Sequence, residues 1–220
     1  MRLIILGSPG VGKGTQAKAL AEHLKLLHIC SGDLLRQAVK EGTDLGKNAK
    51  GFMDKGELVP DNLVIQLIMQ RISQPDAKNG FILDGYPRNI HQATELDKQL
   101  GVNQLQIDAV IALQASQEVI ISRLTGRRLC SKCQANFHIK NMPPKEEGIC
   151  DYCGGRLYQR VDDNQETIKN RLKVYQHTAD ALIDYYKHKN KLVQITANEE
   201  ADVVLKKMIE GLDGYLKDSS

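Results

Sequence analysis

The sequence predicts an α/β fold: a doubly wound, parallel, five-stranded sheet with helices on both faces. Three observations carry this. Five short apolar runs recur along the chain, 2-RLIIL-6, 27-LHIC-30, 81-FILD-84, 107-IDAVIAL-113 and 191-KLVQITA-197. They are continuous rather than alternating, which is the pattern of strands buried on both faces. Helical segments separate them, and alternating strands and helices build a parallel sheet.

The first run breaks into 7-GSPGVGKGT-15, with four glycines in eight residues followed by a helix-like pattern. Glycine lets successive N–H groups turn toward a ligand, and a lysine beside them adds a point charge, so a phosphate is the expected occupant. The spacing Gly7-x4-Gly12-Lys13 fits a phosphate loop between strand and helix, although Gly14 stands where Ser or Thr is expected and Thr15 follows one place later. Such a loop predicts binding of a nucleoside triphosphate. Ligands of doubly wound sheets sit beyond the carboxyl ends of the strands, where this loop falls.

After the second run, residues 31–59 contain helical pieces but no strand. Leu63, Leu67, Ile68 and Ile72 then mark a sheet helix. The third run ends in 81-FILDGYPR-88, which carries Asp84 to the carboxyl edge, opposite the phosphate loop. A carboxylate there suits Mg²⁺, directly or through water, and Arg88 is expected to face the same cleft. Ile168, Leu172, Tyr175, Leu182 and Tyr185 predict a long helix beginning after Asp162 and Asp163. The tail 217–220 is expected to be loose.

Residues 127–160 break the alternation. They contain 130-CSKC-133 and 150-CDYC-153, the spacing C-x2-C-x16-C-x2-C of two knuckles around one zinc. Four thiolates complete a tetrahedron and leave no open position, so Cys130, Cys133, Cys150 and Cys153 predict a structural Zn²⁺. A segment this poor in apolar residues draws its folding energy from the metal. Cys30, on the second run, is expected to be a small buried hydrophobe.

Arg36, Arg88, Arg123, Arg127, Arg160 and Arg171 fall at strand ends, helix starts or the edges of 127–160. Phosphoryl transfer needs positioning and neutralisation of spreading negative charge, and the arginine fork binds phosphate oxygens at two points. Asp162 and Asp163 are placed to hold two of these arginines.

Bulk properties narrow the class. With 41% apolar residues, 220 residues make one large domain or one domain with inserts. A formal charge of +3 implies neither a nucleic-acid nor a membrane partner. Arg2 precedes only four apolar residues before Gly7, and no run approaches the roughly 18 that a membrane helix needs. The chain is therefore expected to be soluble and cytoplasmic. Five cysteines in such a chain point to metal or free thiols rather than disulfides.

Taken together, GSPGVGKGT at 7–15, SGDLLR at 31–36, DGYPR at 84–88, GRR at 126–128 and the pair Arg160 and Arg171 resemble the adenylate kinase family, in order and over essentially the whole chain. The cysteine knuckles resemble its bacterial form with a metal-stabilised lid. In that family the loop itself reads GKGT, which accounts for Gly14. The resemblance implies a P-loop NTPase-type core, residues 1–29, 60–126 and 161–220, an AMP-binding insert, 30–59, and a zinc-binding lid, 127–160. It implies reversible transfer from Mg·ATP to AMP, giving two ADP, by a cytoplasmic monomer.

Carried over by position, the resemblance puts Gly10, Val11, Gly12, Lys13, Gly14 and Thr15 around the ATP phosphates, with Arg123, Arg127 and Phe137 also on the ATP side. Lys13, Arg88, Arg123, Arg160 and Arg171 would act on the transferred group. Ser31, Gly32, Arg36, Leu58, Val59, Gly85, Arg88, Gln92, Arg160 and Arg171 would form the AMP site. Asp84 would hold Mg²⁺ through water, and Asp33, Asp162 and Asp163 would orient arginines. Gln92 is the residue expected to read adenine, since an amide pairs with both a ring nitrogen and the amino group. Ser31 stands in place of an expected threonine, Phe137 in place of a tyrosine seen in relatives without zinc, and 196-TANEE-200 lacks a basic residue.

Three rival readings fit the residues less well. A kinase for UMP, CMP or GMP would want other base partners than Leu58, Val59 and Gln92. A P-loop switch or ATPase would leave SGDLLR and DGYPR unexplained. A zinc-ribbon nucleic-acid binder has Arg128, Lys132, Lys140 and Lys145, but Glu146, Glu147 and Asp151 dilute that charge.

Overall fold

A computed structural model describes residues 1–218. Five parallel strands form the central sheet: β1 (Arg2–Gly7), β2 (Leu27–Cys30), β3 (Phe81–Asp84), β4 (Ala109–Gln114) and, far along the chain, β8 (Leu192–Thr196). Their order is β2-β3-β1-β4-β8. All four pairings are parallel, so each needs a crossover, which the helices supply.

The continuous apolar runs are explained by the two cores. Along β1, Leu3 and Ile5 enter one cluster, with Ala17 and Leu20 of α1 (Lys13–Leu24) and Val204, Met208 and Leu212 of α8 (Ala201–Asp218). Ile4 and Leu6, pointing the other way, enter a second. That cluster takes Val64 and Ile68 of α4 (Asp61–Ile72), Leu96 and Leu100 of α5 (Ile90–Val102), and Leu182 and Tyr186 of α7 (Gln165–His188). Both faces are apolar because both are covered. The expected 217–220 tail is helical at Lys217 and Asp218, which end α8; Ser219 and Ser220 lie outside the described residues.

Two excursions leave the sheet. After β2 come α2 (Ser31–Glu41) and α3 (Asp44–Lys55), whose tight junction is capped by Thr43 accepting from Gly46 N at 3.1 Å. After α6 (Gln117–Gly126) the chain forms a small antiparallel sheet, β6 (Asn136–His138), β5 (Arg127–Cys130) and β7 (Leu157–Tyr158). The apolar pattern over 127–160 gives no sign of these strands, because they are only two to four residues long.

Candidate active site

β1 and β3 deliver the two motifs to the same edge of the sheet, with Ile5 paired to Asp84 across the register. The loop after β1 is left-handed at Gly10 (φ 83°) and Gly12 (φ 104°). At Gly10 a Cβ would also meet Leu124 at 2.7 Å, so the turn needs glycine on two grounds. Gly12 caps α1 without any side-chain hydrogen bond, which leaves the first N–H groups of that helix available to an anion.

Loop 10–15 lines a cavity of about 550 Å³. Ser31, Gly32, Asp33, Arg36, Leu58 and Val59 line it too, as do Asp84, Gly85, Arg88 and Gln92. Arg123, Arg127, Phe137, Arg160, Asp162 and Arg171 complete it. Asp163 lies behind this surface with its side chain fully buried.

The cations are engaged by the protein itself. Lys13 Nζ donates to the carbonyl oxygens of Gly7 at 2.6 Å and Ser8 at 2.8 Å. Burial pulls its pKa down to about 8; Asp84 opposes this, while Arg88 and Arg171 reinforce it. Asp162 accepts from Arg160 Nε at 2.7 Å and Arg171 Nη1 at 3.0 Å. Burial acts to raise the Asp162 carboxyl, but Arg160 and Arg171 outweigh it and hold it at about 2. Asp163 accepts from Arg127 Nε at 2.7 Å and stands 3.5 Å from Arg171. Arg36 pairs with Asp33 one helical turn back. Burial likewise acts to raise Asp33, and Arg36 holds it below its ordinary value. Arg88 opens on the cavity and donates to Gly85 O at 2.8 Å; enclosure by the walls lowers its pKa, Cys30 and Asp84 offset this in part, and Arg36 and Arg160 add to it.

Arg123 is turned toward carbonyls rather than carboxylates: Val11 O at 2.9 Å, Ala197 O at 2.8 Å and Glu199 O at 2.8 Å. It thus ties the phosphate loop to 196–200 through the backbone carbonyls of that segment. Phe137 is only 5% exposed, its ring packed with Cys130 and Cys150 and 5.8 Å from that of Tyr152. It reaches the cavity while serving mainly as core for the small sheet. Cys30 differs from expectation: it is half-buried and lines the cavity, because the last residue of β2 emerges at the sheet edge.

Asp84 is 4% exposed, and its Oδ2 lies 3.3 Å from His28 Nε2 and about as far from where a Cβ on residue 14 would stand, 3.5 Å. Ser31 Oγ donates to Gly85 O at 2.8 Å, so the hydroxyl braces the loop after β3. Gln92 is 1% exposed, its Oε1 accepting from Arg88 N at 2.8 Å and its Nε2 donating to Asp61 at 2.7 Å. His28 and Asp61 carry no motif of their own, and only the fold brings them to Asp84 and Gln92.

In the small sheet the four cysteine sulfurs lie within 4.8 Å of one another. Cys130 and Cys153 are 3.3 Å apart, Cys133 and Cys150 3.5 Å. A zinc tetrahedron with Zn–S near 2.3 Å sets its sulfurs about 3.8 Å apart, so the donor set fits. N–H groups of Lys132 and Cys133 point at Cys130 Sγ, and a Cβ on Gly155 would stand 2.8 Å from the same sulfur. No helix of the described residues is long and apolar enough to cross a membrane.

Comparison with known proteins agrees with this geometry. The family model described as adenylate kinase matches residues 5–191. An adenylate kinase of Caldicellulosiruptor saccharolyticus is 51% identical over 212 residues, 96% of this chain and 99% of that protein. One of Methanocella arvoryzae is 51% identical over 204 residues, 93% of this chain and 94% of its own length, and one of Staphylococcus epidermidis 46% over 213 residues, 97% and 99%. A match this long, at about half identity, means that the chain belongs to the adenylate kinase family.

Proposed function

We propose that this site transfers the terminal phosphoryl group of Mg·ATP directly and reversibly to AMP, giving two ADP, with ATP held by the core (1–29, 60–126, 161–220) under the lid 127–160 and AMP held by the insert 30–59. The observation that carries this reading is that loop 10–15 and Arg36, Arg88, Arg160 and Arg171 line one cavity. A triphosphate on the loop then meets a monophosphate among the arginines.

The acceptor oxygen of AMP is already anionic at neutral pH, so the chain supplies no general base. Its residues orient and neutralise. Gly10, Val11, Gly12, Gly14 and Thr15 cradle ATP through backbone N–H groups, and Lys13 exchanges the Gly7 and Ser8 carbonyls for phosphate oxygens. Arg123 and Arg127 hold the ATP side beside Phe137. Arg36 and Arg88 hold the AMP phosphate. Ser31, Gly32, Leu58, Val59, Gly85 and Gln92 enclose the nucleoside. Arg160 and Arg171, steadied by Asp162, close on the group in transit, as Asp33 steadies Arg36 and Asp163 steadies Arg127. Mg²⁺ arriving with ATP would supply charge neutralisation between the phosphates, and Asp84 would hold it through water. Zn²⁺ on Cys130, Cys133, Cys150 and Cys153 would keep the lid rigid. Lid closure excludes water, which would otherwise hydrolyse ATP; lids of this family are a standard case of such gating. The remaining expectation is a cytoplasmic monomer.

The test is a product assay with Mg·ATP and each monophosphate in turn. ADP formed in twofold yield from ATP and AMP, with UMP, CMP and GMP far slower, supports the proposal. Transfer to another monophosphate overturns the acceptor assignment, and phosphate release without an acceptor overturns the reaction.

A further inference from the structure

We infer that Asp61 is a positioning residue for acceptor choice: its carboxylate locks the Gln92 amide in the one orientation that reads an adenine edge and rejects a 6-oxopurine. This rests on the reading of Gln92 as the base-reading residue. An adenine edge needs a donor for N1 and an acceptor for its 6-amino group. A 6-oxopurine presents the reverse, an N1–H donor and an O6 acceptor, and would need the amide turned by half a rotation.

Two groups forbid that rotation. Gln92 Nε2 donates to Asp61 Oδ1 at 2.7 Å, and Gln92 Oε1 accepts from the backbone N of Arg88 at 2.8 Å. An ionised carboxylate only accepts and a backbone N–H only donates. Turning the amide would set oxygen against carboxylate and NH₂ against N–H, replacing two hydrogen bonds by two repulsions. At 1% exposure Gln92 has no water to relieve either. One hydrogen on Nε2 and one lone pair on Oε1 remain, which is the pair adenine takes.

Asp61 is itself held. Asn89 Nδ2 donates to both its oxygens, at 2.9 and 3.1 Å, and His91 Nδ1 lies 2.9 Å away. Burial acts to raise its carboxyl, but the bonds from Asn89, Gln92 and His91 outweigh it and keep it below its ordinary value, so the acceptor-only form persists at neutral pH. Tyr86 Oη donates to Gln92 O at 3.2 Å and fixes the backbone beneath the amide. The orienting group thus comes from α4 and the amide from α5.

The test compares kcat/KM for AMP and IMP, with Mg·ATP, in the wild type, Asp61→Asn and His91→Ala. Asparagine keeps the size but can offer oxygen or NH₂ to Gln92, so a turned amide is no longer penalised there. His91→Ala removes another partner of Asp61 without touching Gln92. The preference for AMP should fall by about tenfold or more in Asp61→Asn, through KM, and stay within about twofold of wild type in His91→Ala. An unchanged preference in a folded Asp61→Asn overturns the lock, as does an equal fall in His91→Ala, which would trace the effect to α4–α5 packing. Should Asp61→Asn fail to fold, the wild-type Gln92 side-chain amide, assigned by NMR through Gln92→Leu, still decides: slowly exchanging hydrogens support the lock, and exchange as fast as an exposed glutamine's rejects it. A wild type with no preference for AMP over IMP would instead overturn the base-reading role of Gln92, a distinct failure.

Discussion

The Lys13 ammonium donates to the carbonyl oxygen of Gly7 at 2.6 Å, so the lysine lies folded across the loop that carries it. With Ser8 O as second acceptor, the loop satisfies its own cation. In the proposed complex a triphosphate displaces these carbonyls, and it gains by doing so because burial has already destabilised the charge, leaving a pKa of about 8.

Lys13→Met should lower turnover by about 10²–10³-fold while leaving the melting temperature close to wild type, since the side chain acts on phosphate charge and not on the core. Arg88→Lys should lose a comparable factor, because a point charge cannot replace the fork. Steady-state kinetics with thermal melts checks both, and wild-type turnover in either variant would remove that residue from the chemistry.

The same lysine predicts a pH effect. In the free protein it is charged below about pH 8 and neutral above it, so kcat/KM for ATP should fall as pH rises through about 8. Bound phosphate favours the charged form, so kcat should hold to higher pH. In Lys13→Arg the guanidinium stays charged and the alkaline fall in kcat/KM should vanish.

Asp162 sets the acid limit. Its folded pKa of about 2 lies below the ordinary 3.8, so its contribution is present above about pH 4 and is lost as pH falls through about 2. The shift corresponds to on the order of 2 kcal/mol. Asp162→Asn should therefore be less stable than wild type at pH 7 by about that amount, with the gap closing toward pH 2. Urea unfolding across that range measures it.

These couplings divide what the sequence reveals from what it hides. The strands are legible because both sheet faces are covered, so that Leu3 to Leu6 read as one apolar run. The phosphate loop and the cysteine knuckles are legible because their spacing is itself the chemistry. Asp61 and His28 are not, since their partners lie 31 and 56 residues away and meet them only once the sheet forms. The partners of Arg123 were hidden for another reason: backbone carbonyls leave no trace in residue type. Phe137 reads as an ATP-side residue from its position, yet its ring packs with Cys130 and Cys150 as core of the small sheet.

Metal removal tests the proposed structural zinc of the small sheet. Its buried apolar cluster is Cys130, Phe137 and Cys150, with Ala135 and Leu157 packed against it, too little to hold β5, β6 and β7 together. Cys150→Ser, or chelation with metal loss confirmed, should lower the melting temperature by on the order of 10 °C, as several kcal/mol of metal-linked stability go. The initial rate at moderate temperature should fall much less. An unchanged melting temperature after metal loss would remove the structural role.

The join between α6 and the small sheet makes the last prediction. α6 ends at Gly126, and His138 of β6 lies across it, its Nε2 3.1 Å from Ser122 O near the end of the helix. Nδ1 accepts from Lys140 N and Asn141 N, at 3.1 Å each, so Nε2 carries the hydrogen and donates to Ser122. A Cβ on residue 126 would stand 2.2 Å from Nε2 and 2.5 Å from Cε1. Gly126→Ala must therefore push the ring off Ser122, at a cost of about 1–3 kcal/mol, and should raise KM for ATP as the proposed lid loses its seat. In a His138→Ala background the obstacle is gone, and the same substitution should cost less than about 1 kcal/mol, helix propensity now favouring alanine over glycine. Equal costs in the two backgrounds would show that the ring contact does not set the need for glycine.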